Sequence, residues 1–502
     1  MRPQNTTTRA RETDDSRGRT RALVVGLAVL VIVIALVGAI ALRPDKPSAE
    51  PGNAAAPGGV GAPGVGDPYF PGAGNGGYDV LRYDIDVRYD PASDRLDGRT
   101  TVTATATADL RSFSLDLRLP ASEAQVNDRP ATIKQEGGEL RVTPADPVTA
   151  GQPLRVVVTY GGVPSMLKTP QGLIPPWTRA PDGVVAVGQP DIAAWWFPSN
   201  DHPSDKAAVA VSATVPAGVE VISNGALLAG PEPVGGGQER WRWRADEPMA
   251  TYLMFMAVGQ YDVVQRDSPF GPYLAAYAQV VDPETLAAGR ANVEQTPQVL
   301  TALSELFGPY PFHQVGGVVA PVSGFALENQ TRPVYAPESV SGPDGLSVVV
   351  HELAHQWFGD NVAIARWRDI WLNEGFATYA EWLYLERTGG PPASATAADI
   401  YAVGDDPSIG QELWGTPPGD PGPAGLFSLS VYLRGGMALQ AIRDAVGDED
   451  FFALLKVWAA ERAGGNATIE DFLATAERVT GEDLDAVAKE WLYDADRPPA
   501  AP

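Results

Sequence analysis

Two histidines four positions apart, His351 and His355, are the residues of this sequence best suited to bind a metal ion. Residues at i and i+4 lie on one face of a helix, so both imidazole rings can reach the same ion. Apolar neighbours favour a helix here, and Gly359 is expected to end it. Two neutral imidazoles and a carboxylate oxygen suit Zn²⁺ and leave a fourth position for water. Glu352 would point past the metal toward that water.

The third ligand is expected from a second helix. Glu374 lies near the start of DIWLNEGFATYAEWLYLER, whose composition predicts a helix with a broad buried face. Asn373 beside it either orients this ligand or starts the helix. The alternative is a core helix with hydrogen-bonded histidines and an ordinary carboxylate. Because a glutamate at this spacing inside WLNEG favours the metal site, the sequence predicts one Zn²⁺ per chain, held by His351, His355 and Glu374.

HELAHQWFGD and WLNEGFA resemble the gluzincin aminopeptidases, the family of aminopeptidase N and leukotriene A4 hydrolase. The resemblance implies a zinc-dependent aminopeptidase that acts on peptides with a free N-terminus. Glu352 would then take the proton of water and pass it to the leaving amine. VYLRGGMALQ is similar to the family's YxxG pattern, which implies that Tyr432 stabilises the oxyanion. The alternative for Tyr432 is a packed aromatic residue on a helix.

The resemblance also implies residues that hold the substrate. SGFALENQTRP is similar to the family's GxMEN motif, so Glu328 would bind the free α-ammonium of the peptide, with Ala326 and Asn329 beside it. Phe325 and Leu327 replace the usual glycine and methionine, which leaves the substrate preference open. A solvated or capping carboxylate is the alternative for Glu328.

A second substrate anchor is implied nearer the N-terminus. VGQPDIAAWWFPSNDHPSDKA resembles the family's Gln-x-Glu element, in which Gln189 matches. Asp191 stands where glutamate is common, and its shorter side chain reaches less far.

The pattern of apolar residues predicts a multidomain α+β fold. Alternation in segments such as YDIDVRYD and SFSLDLRL predicts strands over residues 67–261, assembled as an antiparallel saddle or sandwich. Residues 262–495 have a mostly helical pattern, with a proline-rich loop over 405–423 and three helical stretches after it. The family resemblance implies that they form a thermolysin-like catalytic domain. The further C-terminal domain common in the family is expected to be absent.

The N-terminal residues predict a membrane anchor. Residues 22–42 carry no charge or proline and could cross a hydrocarbon core of about 30 Å. The arginine excess in residues 1–21 predicts a cytoplasmic tail, and the Pro/Gly/Ala-rich residues 43–66 predict a linker. The expected protein is therefore a single-pass protein of the cell membrane with an extracellular catalytic body. Cleavage after the apolar segment is the alternative.

Composition narrows the function further. A formal net charge of −25 over 502 residues argues against nucleic acid as a partner. The absence of cysteine excludes disulfides, thiolate metal ligands and cysteine nucleophiles.

Two other functions are weighed: a zinc endopeptidase with an open groove, and a non-catalytic scaffold of the same fold. Retention of all the ligands, the base and the tyrosine argues against the scaffold. The oligomeric state is left open.

Overall fold

The computed structural model describes residues 59–169, 175–190 and 192–502. The predicted tail (1–21), membrane anchor (22–42) and most of the linker (43–66) lie outside these residues, and so does Asp191. Within the described ranges, no helix is both long and apolar enough to cross a membrane. The α+β prediction is confirmed, because a β-rich N-terminal part precedes a mostly helical C-terminal part.

The β-rich part consists of two sheets, and several of their strands show alternating burial. In β1, for example, Tyr83, Ile85 and Val87 are at most 2% exposed, while their neighbours in sequence face outward. The strands are β1 (Tyr78–Asp90), β2 (Arg95–Ala106), β3 (Phe113–Asp116), β4 (Ala121–Val126), β5 (Arg129–Glu136), β6 (Glu139–Thr143), β7 (Pro153–Gly162), β8 (Trp177–Ala180), β9 (Gly183–Ala186), β10 (Ala207–Pro216), β11 (Glu220–Ser223), β12 (Ala226–Gly235), β13 (Gln238–Met249) and β14 (Met256–Gly259).

The large sheet has ten strands in the order β12-β13-β10-β1-β2-β7-β4-β5-β6-β3, and the small one has four in the order β11-β14-β9-β8. The prediction of an antiparallel sheet is wrong for one pair, since β1 and β10 run parallel, with Tyr83 opposite Val209. A parallel pair needs a long crossover. Residues 91–206 provide it, and local alternation cannot reveal such a pairing.

A third sheet begins the helical part and has five strands in the order β15-β16-β17-β19-β18, so that β18 is an edge strand. A two-stranded sheet follows later in the chain. These strands are β15 (Tyr261–Ser268), β16 (Gly271–Ala278), β17 (Val315–Val319), β18 (Ala326–Leu327), β19 (Val334–Tyr335), β20 (Ala363–Ile364) and β21 (Asn466–Ala467).

The α-helices all lie in this C-terminal part among the described residues. They are α1 (Pro283–Val293), α2 (Thr296–Phe307), α3 (Pro337–Ser341), α4 (Gly345–Ala354), α5 (Trp371–Arg387), α6 (Ala393–Val403), α7 (Pro407–Trp414), α8 (Gly435–Val446), α9 (Asp448–Glu461), α10 (Ile469–Thr480) and α11 (Asp485–Ala488). Two single π-helical turns, Ser430–Arg434 and Lys489–Tyr493, precede α8 and follow α11.

Two helix predictions need correction. The proline-rich segment 405–423 is not a continuous loop, because it contains α7. Asp406 caps that helix by accepting a hydrogen bond from the Ser408 amide, and Pro407 occupies the first turn, where its missing N–H costs nothing. The last of the three predicted helical stretches is divided into α10, α11 and the second π-helical turn, with Gly481 in the left-handed conformation that ends α10.

Candidate active site

The three predicted metal ligands converge between α4 and α5. Ligand atoms of His351, His355 and Glu374 all lie within 4.8 Å of one another, and all three residues are buried. Both histidine Nε2 atoms are 3.4 Å from Glu374 Oε2. Two atoms bound tetrahedrally to zinc at about 2.05 Å would lie about 3.3 Å apart, so this spacing matches the metal without rearrangement.

The first ligand helix ends earlier than predicted. α4 ends at Ala354, and irregular turns continue from there to the predicted stop at Gly359. Gly359 has a φ of +134°, and a Cβ there would lie 3.2 Å from His355 Nδ1. Glycine is therefore required to return the chain past the second ligand rather than to end the helix.

Each histidine is oriented by a hydrogen bond from its other ring nitrogen. His351 Nδ1 lies 2.8 Å from Glu381 Oε1, and the Ser347 hydroxyl donates to the same carboxylate. His355 Nδ1 lies 3.0 Å from the carbonyl oxygen of Phe358. These contacts leave both Nε2 atoms for the metal. The sequence analysis missed Glu381, although it lies seven residues after Glu374 and thus on the same face of α5.

The remaining predicted site residues lie in one cavity with the ligands. Its lining includes Glu352, Tyr432, Glu328, Ala326 and Gln189. Three of its other lining residues, Gly188, Leu327 and Phe427, were not predicted as site residues, and Phe325 also lies in the wall. Phe427 sits in an irregular loop between α7 and the first π-helical turn, where nothing in the sequence indicates a site.

Tyr432 is placed by the first π-helical turn. Its ring stacks on His351, with ring centroids 5.9 Å apart and planes at 20°. The turn packs closely on α5, since a Cβ on Gly435 would lie 3.2 Å from the Cα of Gly375. The glycine three residues after the tyrosine thus allows the close approach that brings Tyr432 beside the ligands.

Glu328 is a buried carboxylate without a full set of partners. It is 3% exposed, and its Oε1 is buried without a hydrogen-bond partner. Buried polar atoms are nearly always paired, so the free oxygen indicates a place for a ligand. Gln189 Nε2 is also buried and unpaired in the same cavity wall.

Asn329 and Asn373 lie outside the lining of the cavity. Asn329 is buried outside the cavity lining, and its side-chain amide donates to the carbonyl of Leu253 at 3.0 Å. Asn373 Nδ2 donates to the Tyr252 hydroxyl at 3.4 Å, and Asn373 Oδ1 has no hydrogen-bond partner, so neither atom hydrogen-bonds to the third ligand. Both side-chain amides therefore hydrogen-bond to residues behind the cavity wall, Leu253 and Tyr252.

Burial and mutual charge shift every titratable group of the site. Burial raises the pKa of Glu328 and raises that of Glu352 to about 8. For Glu374, burial acts the same way, but His355 and His351 lower its pKa to about 2. Burial also holds the pKa of Tyr432 well above 10. Tyr432 therefore remains a hydrogen-bond donor at neutral pH, and Glu374 remains an anion.

The residues fit a catalytic zinc ion. Two imidazoles and one carboxylate are a typical ligand set for zinc in hydrolases, and they leave an open position. The cavity beside the ligands is also lined by Glu352, the candidate general base, and by the phenol of Tyr432. The orienting bonds from Glu381 and from the Phe358 carbonyl complete the usual surroundings of zinc-binding histidines.

The comparisons with known proteins agree with this geometry. Residues 292–491 match the profile of the peptidase family M1 domain. Human glutamyl aminopeptidase is 30% identical over 322 residues, covering 60% of this chain and 33% of that protein. The chain spans about a third of the length of the curated relatives it matches first.

Solved structures extend the match to both parts of the chain. An M1 zinc metallopeptidase from Deinococcus radiodurans is 31% identical, with a TM-score of 0.78, covering 88% of this chain and 100% of its own. A mutant of it bound to a Tyr-Ser-Ala substrate is 30% identical, with a TM-score of 0.77, covering 88% of this chain and 99% of its own. With the metal-ligand geometry above, these similarities show that the chain belongs to peptidase family M1, whose metal is zinc.

Proposed function

We propose that this protein is a zinc-dependent aminopeptidase that removes N-terminal residues from peptides. One observation carries the choice of an aminopeptidase over other peptidases. The buried Glu328 carboxylate, with one unpaired oxygen, has a ligand atom within 4.8 Å of those of Glu352 and His355. A fixed anion this close to the metal ligands leaves room for little more than the first residue of a peptide, whose α-ammonium it would bind.

The chain's own residues supply the steps of hydrolysis. Zn²⁺ held by the three ligands would polarise the scissile carbonyl and lower the pKa of a water molecule. Glu352 accepts the proton of that water and delivers it to the leaving amine. The Tyr432 hydroxyl donates a hydrogen bond to the developing oxyanion.

The edge strand supports binding of an extended peptide. Among the described residues, β18 is an edge strand that pairs with β19 alone, so its outer edge is available to pair with a substrate backbone beside Ala326. Gln189, which also lines the cavity, offers its unpaired side-chain amide. The Tyr-Ser-Ala substrate of the Deinococcus radiodurans relative supports the same class of substrate. Asp191 and Asn329 remain predicted substrate contacts: Asp191 lies outside the described residues, and Asn329 lies outside the lining.

The test is hydrolysis of one peptide in two forms, with a free and with an acetylated N-terminus. We expect the zinc-loaded protein to release the first residue of the free form only, and a chelator to abolish this. Glu352→Gln should lower kcat by roughly 10²- to 10⁴-fold, as expected for loss of a general base. Glu328→Gln should mainly raise KM for the free form. Glu305→Gln, at an exposed ion pair with Arg387, is the matched control.

Two results would reject the proposal. Equal cleavage of both peptides would establish an endopeptidase with an open groove. No cleavage of either peptide by folded, zinc-loaded protein would establish a non-catalytic scaffold. The same assay therefore separates the three functions.

We further propose that residues 22–42 anchor the protein in the cell membrane, with the tail in the cytoplasm and the catalytic body outside. The uncharged length of this segment and the arginines before it support the proposal. The full chain should remain with membranes after an alkaline wash, and a variant lacking residues 1–42 should be released. A mature N-terminus located after residue 42 would show cleavage instead.

A further inference from the structure

The site contains a second group of buried metal-ligating side chains. Besides the predicted triad, ligand atoms of Glu328, Glu352 and His355 lie within 4.8 Å of one another. The two groups share His355, whose Nδ1 is already bonded to a backbone carbonyl. A metal ion on its Nε2 therefore leaves Glu328 and Glu352 as the remaining potential ligands of the second group.

The charges of the cavity favour a second cation. Glu328, Glu352 and Glu374 place three buried acidic side chains in one cavity, and the predicted metal triad uses only that of Glu374. A buried carboxylate without a counter-charge is costly. Glu328 Oε1 is buried and has no hydrogen-bond partner, and a carboxylate oxygen of Glu328 lies within 4.8 Å of the ligand atoms of Glu352 and His355. Carboxylate pairs bind zinc and other divalent ions.

We propose that Glu328 and Glu352 form a second divalent-cation site next to the catalytic zinc. An ion there would occupy both the anchor for the α-ammonium and the proton acceptor. It would therefore compete with the peptide N-terminus. Binding of the second ion follows from the geometry alone, whereas its inhibitory effect rests on the aminopeptidase function proposed above.

The test measures bound metal. Protein holding one zinc is dialysed against increasing Zn²⁺ concentrations, and the zinc bound per chain is determined by atomic emission. We expect the wild-type chain to bind a second zinc and Glu328→Gln to bind it at least tenfold more weakly while retaining the first. Retention of the first zinc also shows that the variant is folded.

The control addresses the exposed acidic surface. Glu477, Asp483 and Asp485 form the other group of acids close enough to share an ion among the described residues. Glu477→Gln should leave the second zinc unchanged. Loss of that zinc in Glu477→Gln, or its retention in Glu328→Gln, would overturn the proposal.

Kinetics separate this proposal from the function on which its effect rests. In the one-zinc protein, discrimination between free and acetylated peptides tests the aminopeptidase alone. Added Zn²⁺ should then raise the apparent KM of the free peptide without changing kcat. A second zinc that binds and leaves KM unchanged would refute the placement of this ion at the amine anchor.

Discussion

Replacing Glu381 by glutamine should weaken zinc binding without touching a metal ligand. The carboxylate lies 2.8 Å from His351 Nδ1, and the two side chains are 9% and 5% exposed. Glutamine keeps an oxygen that can accept this hydrogen bond, and its amide group can donate to the Ser347 hydroxyl in place of the present contact. The substitution thus removes the charge and keeps the shape.

The magnitude follows from the change in the hydrogen bond. A bond to a charged partner contributes about 1.5–3 kcal/mol and a neutral one about 0.5–1.5 kcal/mol, so about 1–2 kcal/mol of support for His351 is lost. At about 1.4 kcal/mol per factor of ten, zinc affinity should fall roughly 5- to 30-fold. This loss of zinc affinity overlaps the loss usually seen when the hydrogen-bond partner of a metal-binding histidine is removed.

The assay is competition for zinc with a chromogenic chelator at pH 7.5. Glu386→Gln is the control, because Glu386 lies on the same helix but pairs with Arg443 instead of a ligand. It should leave zinc affinity unchanged. Equal affinities for Glu381→Gln and the wild-type protein, within twofold, would refute the reasoning that Glu381 supports the metal through His351.

Three further substitutions test other contacts of the site and its supports. Lys206→Met removes ammonium bonds of 2.8 and 2.9 Å to the carbonyls of residues 360 and 361 beyond α4, and should lower the free energy of unfolding by roughly 2 kcal/mol in urea titrations. Asp67→Asn should destabilise the protein at pH 7. Burial opposes ionisation of Asp67, but His202 and the Trp367 amide hold its pKa below 3.8, so its contribution is present above about pH 4 and is lost as pH falls through the folded-state pKa. The thermal melting difference from wild type should therefore shrink below pH 4, and a constant difference would contradict this linkage. Tyr432→Phe should lower kcat by roughly 10²- to 10³-fold with KM little changed, and a KM effect alone would reject the oxyanion role.

The metal ligands could be predicted because their geometry is mostly local. The spacing of His351 and His355 fixes their common face, and Glu374 needed only one further helix packed against the first. Glu381 could have been predicted in the same way, since its spacing from Glu374 places it on the same helix face. The helix within segment 405–423 was also signalled locally, by the Asp-Pro pair at its start.

Contacts distant in sequence could not be predicted. The parallel pairing of β1 with β10 depends on a crossover of more than a hundred residues, and the alternation of a strand does not identify its neighbour. The π-helical turn that carries Tyr432 has the composition of an ordinary helix. Gly435, directly after the turn, packs against α5, and the sequence of the turn alone does not reveal this contact.

Glu328 and the residues directly after it have different roles: Glu328 lines the cavity, whereas residues 329–332 contact the β-rich part. Asn329 donates to the carbonyl of Leu253, Thr331 accepts from the Gly225 amide, and Arg332 donates to carbonyls at positions 223 and 225. All of these partners belong to the β-rich part, so residues 329–332 hold the two parts together. Of residues 328–332, only Glu328 lines the cavity. The position of the amine anchor relative to the metal is therefore set by contacts between the two parts. A substitution in the junction that preserves the metal ligands should alter peptide binding before it alters zinc binding.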